Sequence, residues 1–268
     1  MLLELAPGLR VVRRGPHHLQ VGLHGERRAV LPRTDAVLEV VRRIAVREPV
    51  DLTEPGMASA VGHLVATGCA VPAVTSGGVR RRRSRARVEV LGDLGSRAPD
   101  PVALLATAGV STGRAAGDPD VVLVLVRGEL DRGTLDPLLR REQAHLVVRV
   151  VDGAVVVGPF VVPGRSACLR CIDSHLSVGD PDHLAVLTRY VAATRGPRGD
   201  GHDELAEPVL AHLGLASAVR DVLTHLDGDR PQTWSSTVRF GPEVSRVVRT
   251  TWTQHPECGC CWPGTPGA

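Results

Sequence analysis

The chain contains no lysine and no asparagine, so all 32 of its permanently basic side chains are arginine. A phosphate-binding lysine or a Schiff-base lysine is therefore excluded. Aromatic residues are scarce, at 2% of 268 residues, and a core must be built from Val, Leu and Ala. No run approaches the roughly 18–20 apolar residues of a membrane span. The opening MLLELAPGLRVVRRG shows no basic segment followed by an apolar one, so no secretory signal is expected and a cytoplasmic location is. Neither H-x-x-x-H nor G-x-S-x-G occurs, and the scattered histidines assemble no nucleophile–base pair. A net charge of +3 does not by itself imply nucleic acid. The apolar fraction of 43% suffices for one large or two small domains.

Only six cysteines are present, and five sit in two clusters: Cys168-Leu-Arg-Cys171 and Cys258-Gly-Cys-Cys261. A C-x-x-C bite brings two thiolates to one metal ion, and two bites close a tetrahedral site. Disulfides would need an oxidising compartment, so structural zinc is the expectation, with redox chemistry a minor alternative. Four thiolates leave no open position for a catalytic water. Cys168, Cys171, Cys258 and Cys261 are the expected ligands, with Cys260 the competitor for the last place. His255 fits a turn or supporting position better than a ligand. Cys69, in an apolar run after Gly68, reads as a core residue.

Three short strands are expected at residues 9–13, 18–23 and 27–31, punctuated by Gly15-Pro16 and Gly25. A helix follows from Thr34-Asp35 with Val37, Leu38, Val41 and Ile44 on one face, then a second from about Pro55 to Thr67 with Met57, Val61, Leu64 and Val65 inward. Together these form a winged-helix-like module over residues 1–75. Residues 76–87, with six arginines, read as a flexible basic linker. An α/β domain is expected over 88–268. Its strands fall at Val88–Leu91, Val121–Val126, Leu146–Val151 and Ala154–Val162, with two more within Thr233–Thr253. Its helices fall at Pro101–Ala108, Leu135–Gln143, Leu184–Ala193 and Pro208–Leu226, the last with Val209, Leu213, Ala216, Val219 and Leu223 facing in. Gly92 and Gly95 sit where many α/β proteins hold a phosphate, but the G-x-G-x-x-G fingerprint is incomplete and Asp93 and Asp100 place negative charge there. A plain strand–helix turn fits these residues better.

The strand–GxxG–helix start, the apolar strand, the hairpin running through Val157-Gly-Pro-Phe-Val-Val-Pro-Gly-Arg-Ser-Ala-Cys-Leu-Arg-Cys171 and the distant cysteine cluster together resemble the ThiF/MoeB family, whose fold is shared with ubiquitin-activating enzymes. The resemblance implies a reduced Rossmann-like domain, adenylation of a C-terminal carboxylate with ATP, and a structural zinc on four cysteines. With the N-terminal module it covers residues from about 9 to 262. The whole then looks like the ThiF-like partners of YcaO cyclodehydratases in ribosomal-peptide pathways, whose PqqD-type element captures a leader peptide as an added β-strand. The absent lysine, the degraded glycine loop and the short stretch between Gly109 and Asp120 argue against ATP chemistry here.

The leading expectation is thus a non-catalytic scaffold that presents a precursor leader peptide to a YcaO enzyme. Its expected peptide contacts are Arg27, Arg28, Val30 and Leu31 on the third strand, with Val61 and Leu64 on the second helix. An active adenylyltransferase is the alternative, and a winged-helix DNA-binding regulator ranks last, because no aromatics interleave with the arginines. The sequence leaves homodimer formation open.

Overall fold

The structure, a computed structural model, describes residues 1–95, 98–112, 117–194, 207–243 and 247–260. It divides into two compact units, Met1–Arg81 and Arg82–Ala268.

The first unit holds β1 (Leu3–Leu5), β2 (Val11–Arg14), β3 (His18–Val21), β4 (Ala29–Pro32), α1 (Asp35–Val46), α2 (Pro55–Ala66) and β5 (Ala70–Pro72). Strands β2, β3 and β4 form an antiparallel sheet in chain order. Helix α1 starts where the Thr34 side chain accepts from the Val37 N–H. Helix α2 starts at Pro55, its first N–H groups taken by Glu54. Three strands and two helices thus stand close to where the periodicity puts them. An additional antiparallel pair, β1 with β5, was not legible, since three-residue strands carry no periodic signal. The core joins Leu3, Leu19, Val21, Val37, Val40, Ile44, Leu64 and Cys69. Leu38 and Val65, expected inward, are exposed. The basic run is not an irregular linker: α3 spans Ala73–Arg85 and carries most of its arginines.

The second unit is built on a seven-stranded sheet. Its strands are β6 (Arg87–Gly92), β7 (Ser111–Thr112), β8 (Val121–Arg127), β9 (His145–Val151), β10 (Ala154–Val161), β11 (Ser236–Phe240) and β12 (Val248–Thr251). The order is β12-β11-β10-β9-β8-β6-β7, parallel from β7 to β9 and antiparallel from β9 to β12. The central strands are almost continuously buried, which matches their unbroken Val/Leu runs. Helices α4 (Pro101–Thr107), α5 (Asp136–Arg140), α6 (Leu169–Gly179), α7 (His183–Thr194) and α8 (Pro208–Leu226) complete the unit. The helix expected over Leu135–Gln143 is shorter and enters through a 3-10 turn at Arg132–Leu135.

Helix α8 buries a face centred on Leu210, Leu215, Ala218 and Val222, and leaves Val209 and Leu213 exposed. Its apolar residues are dense enough to fit two adjacent faces, so periodicity alone could not choose. Gly214 decides it: a Cβ there would run into the Val155 side chain of β10, so this side of the helix lies closest to the sheet.

Candidate metal centre

Cys168 caps the N-terminus of α6 in an extended conformation, and Cys171 lies in that helix's first turn, so both thiols point the same way. Cys258 ends the 3-10 turn Pro256–Cys258, its N–H donating to the His255 carbonyl at 3.0 Å. Gly259, with φ +73°, then swings Cys260 back toward the helix. The four sulfurs of Cys168, Cys171, Cys258 and Cys260 lie within 4.8 Å of one another. Three separations are 3.8 Å (Cys168–Cys171), 3.5 Å (Cys168–Cys258) and 3.3 Å (Cys171–Cys260). Thiolates about 2.3 Å from a central ion form a tetrahedron with edges of about 3.8 Å. The distances fit that geometry, and they are far longer than a disulfide bond of about 2.05 Å. Cys260 takes the fourth place among the described residues. Cys261, the ligand expected from the C-x-x-C spacing, lies outside them.

Charge within the cluster also fits a cation. Cys171 is held well below the ordinary thiol range because it accepts from Cys168, then Cys258 and Cys260. Cys168 is driven the opposite way, chiefly by donating to Cys171 and to Cys258. Metal binding requires deprotonated thiolates, so a divalent ion would displace the protons these thiols share. Val161, Ala167, Trp252 and Leu139 wall the site. His175 meets the His255 ring edge-on at 4.9 Å and lies closer to parallel with the Trp252 ring at 6.3 Å. His255 supplies a turn carbonyl and ring packing and is not one of the clustered donors. His175, one of the scattered histidines of the sequence, lies four residues after Cys171 on α6. A cleft of about 560 Å³, lined by Arg132, Asp173, Leu184, Val191 and Cys258 among others, borders the centre at Cys258.

Beside that cleft lies a buried ion network. Arg132 makes a bidentate pair with Asp173 at 2.7 and 2.9 Å and a further one with Glu129 at 2.7 Å, while Arg149 pairs with Glu129. The network ties the loop after β8 to β9 and α6.

The glycine loop closes on itself. Gly92 has φ +75°, and a Cβ there would be driven into the Leu125 carbonyl oxygen, so its glycine is required by the close approach of β8. The Gly95 N–H donates to the Asp93 carboxylate at 2.7 Å, and Asp93 pairs with Arg127 at 3.1 Å. The Val102 N–H, at the start of α4, donates to Asp100 at 2.9 Å. Side-chain carboxylates thus engage N–H groups and a guanidinium that a phosphate would use.

In the first unit, Arg27 and Arg28 are exposed and Val30 is half-buried. Leu31, Val61 and Leu64 are core residues, at 4%, 4% and 0% exposure, and so present no surface for a ligand to touch. Their apolar periodicity reported packing inside the module. Strand β4 has only β3 beside it among the described strands, and the Arg27 side chain lies against Gly68 at the end of α2.

No protein-family model matches the chain, and no curated protein matches it by sequence. Solved structures do. E. coli MccB bound to AMPCPP and MccA matches with a TM-score of 0.67 at 13% identity, over 97% of this chain and 99% of that one. The microcin C7 biosynthetic enzyme MccB in complex with N-formylated MccA matches at 0.63 and 13%, over 97% and 100%. The heterocyclase TruD matches at 0.66 and 15%, over 97% of this chain but 42% of TruD. The chain therefore has an MccB-like α/β fold, with four cysteines clustered at the place where its two sequence motifs converge.

Proposed function

We propose that this protein is a zinc-stapled, non-catalytic scaffold that binds the leader of a ribosomal precursor peptide and presents it to a YcaO-type cyclodehydratase for azoline formation. The observation that carries it is the pairing of an MccB-like fold with a glycine loop whose N–H groups are taken by the protein's own carboxylates. MccB in complex with MccA, and the heterocyclase TruD, supply the peptide-modifying context. Zinc on Cys168, Cys171, Cys258 and Cys260 would hold the last part of the chain to α6.

The peptide adds as a strand to the outer edge of β4, with Arg27, Arg28 and Val30 as its neighbours. On α2, Val65 at 40% exposure replaces the buried Val61 and Leu64 as the apolar contact.

The test is affinity purification of the full chain from its native host with mass spectrometry, wild type beside Arg27→Glu/Arg28→Glu. Recovery of a YcaO enzyme together with a short precursor peptide, the peptide lost in the double variant, is expected. ATP–pyrophosphate exchange by the purified protein would replace this conclusion with the adenylating one. Recovery of neither partner would refute the scaffold.

A further inference from the structure

Three arginines and a tryptophan of the second unit converge on one cleft that plays no part in the function proposed above. The cleft holds about 610 Å³, within the range of ligand pockets. Arg165 and Arg230 both lie over the ring of Trp234, at 5.8 and 5.1 Å from its centroid. Arg249 joins them from the edge strand β12, where its pairing with Val238 and that of Thr251 with Ser236 place Arg249 and Thr251 on one face of the sheet. Among the described residues, no carboxylate stands within ion-pair distance of any of the three guanidinium groups. Asp229 lines the adjoining hollow and pairs with none of them.

The cleft is held rigidly. Buried Asp221 accepts from the Gln232 and Thr233 N–H groups at 3.0 and 2.8 Å and from the Thr233 hydroxyl at 2.5 Å, fixing the segment that carries Arg230 and Trp234. Ser235 sits at φ +49°, a left-handed conformation that a serine seldom adopts. Its hydroxyl accepts from the Ala167 N–H at 2.9 Å, and its carbonyl accepts from the Trp252 N–H at 2.8 Å. Strain retained by a network of this kind clusters at binding sites. Two of the chain's three tryptophans line this cleft, in a protein where aromatic residues make up 2%.

We infer that this cleft is a second binding site, for an acidic peptide segment. The Arg165 and Arg230 guanidinium groups, stacked on the Trp234 ring, keep edges free for bidentate bonds to carboxylates, and Arg249, which donates to the Ser236 hydroxyl at 3.4 Å, adds a third positive charge. Gln232 and Gln254 supply amides, and Thr251 a hydroxyl, suited to peptide main-chain groups. The Trp234 ring already carries two guanidinium groups, which disfavours stacking of a nucleobase. The site is independent of the leader-binding strand edge of the first unit.

The full zinc-loaded chain should be titrated with N-acetyl-hexaglutamate amide, followed by tryptophan fluorescence. Saturable quenching that weakens with salt is expected. Arg165→Ala/Arg230→Ala/Arg249→Ala should weaken it at least about tenfold, losing three charge-assisted contacts while keeping zinc content and melting temperature. Should that triple variant unfold, Arg230→Gln/Arg249→Gln serves in its place. Arg27→Glu/Arg28→Glu should bind as wild type. The inference is overturned by absence of quenching, by arginine variants that bind unchanged, or by loss of binding in the first-unit variant. It is equally overturned if inorganic phosphate displaces the peptide better than chloride at equal ionic strength, or if a DNA duplex binds more tightly than the peptide.

Discussion

Replacing Cys168 with serine should detach the end of the chain from α6 and lower the stability of the second unit by an amount that follows from the topology. Cys168 and Cys258 are 90 residues apart in sequence and 3.5 Å apart in space. A metal bridging them closes a loop of that length. The chain-entropy relation for a cross-link gives about 4.6 kcal/mol for a loop of roughly 90 residues. In a unit of this size each kcal/mol corresponds to about 2–4 °C, so the melting temperature should drop by about 9–18 °C. Zinc content, measured on protein purified without chelator, should fall from one ion per chain to well below one. Cys260→Ser should behave like Cys168→Ser, because Cys260 is the fourth of the clustered cysteines among the described residues. Calorimetry and elemental analysis on the same samples decide the matter. A Cys168→Ser protein that melts within about 2 °C of wild type, or a wild-type protein with no bound metal, would refute the reasoning.

Three further outcomes follow from other parts of the second unit. Asp173→Ala leaves Arg132 buried with Glu129 as its remaining ion-pair partner, and should cost about 3–5 kcal/mol, read as a lowered urea midpoint. Gly92→Ala should cost more than about 1 kcal/mol with no ligand involved, since its backbone is left-handed and Leu125 blocks a side chain; an unchanged midpoint would show that β8 can move away. His145 is fully buried in β9, and burial holds its pKa below the ordinary histidine value. The unfolded chain then binds the extra proton, so the stability it contributes is complete above about pH 6.5 and is lost as pH falls toward the lowered folded value. His145→Leu should flatten the pH dependence of melting between about pH 7 and 5 relative to wild type.

Local signals located most elements because strong patterns were present. The Val121–Arg127 strand is an unbroken apolar run, and α1 and α2 begin at Thr34 and Glu54-Pro55, residues whose side chains or missing N–H satisfy a helix start. Weak patterns failed for matching reasons. The pair β1–β5 is too short to show alternation and depends on partners more than 60 residues apart. Helix α3 was concealed by a composition that reads as solvated linker. Leu31, Val61 and Leu64 were expected at a binding face from the strand-addition mode that the resemblance implies, and their burial places them in the core of the first unit instead.

The sequence by itself pointed to the α/β character of the second unit and to the pairing of two distant cysteine motifs, since each rests on residue type and local spacing. Only the tertiary structure decided the rest. It brought Cys260 into the cluster by the turn at Gly259, and it turned α8 by packing Gly214 against Val155. It placed Asp93 and Asp100 on the glycine-loop and helix-start N–H groups, and it gathered Arg165, Arg230 and Arg249 around one tryptophan. Those relations join residues far apart in the chain, and their distances depend on how helices and strands pack, which no local pattern encodes.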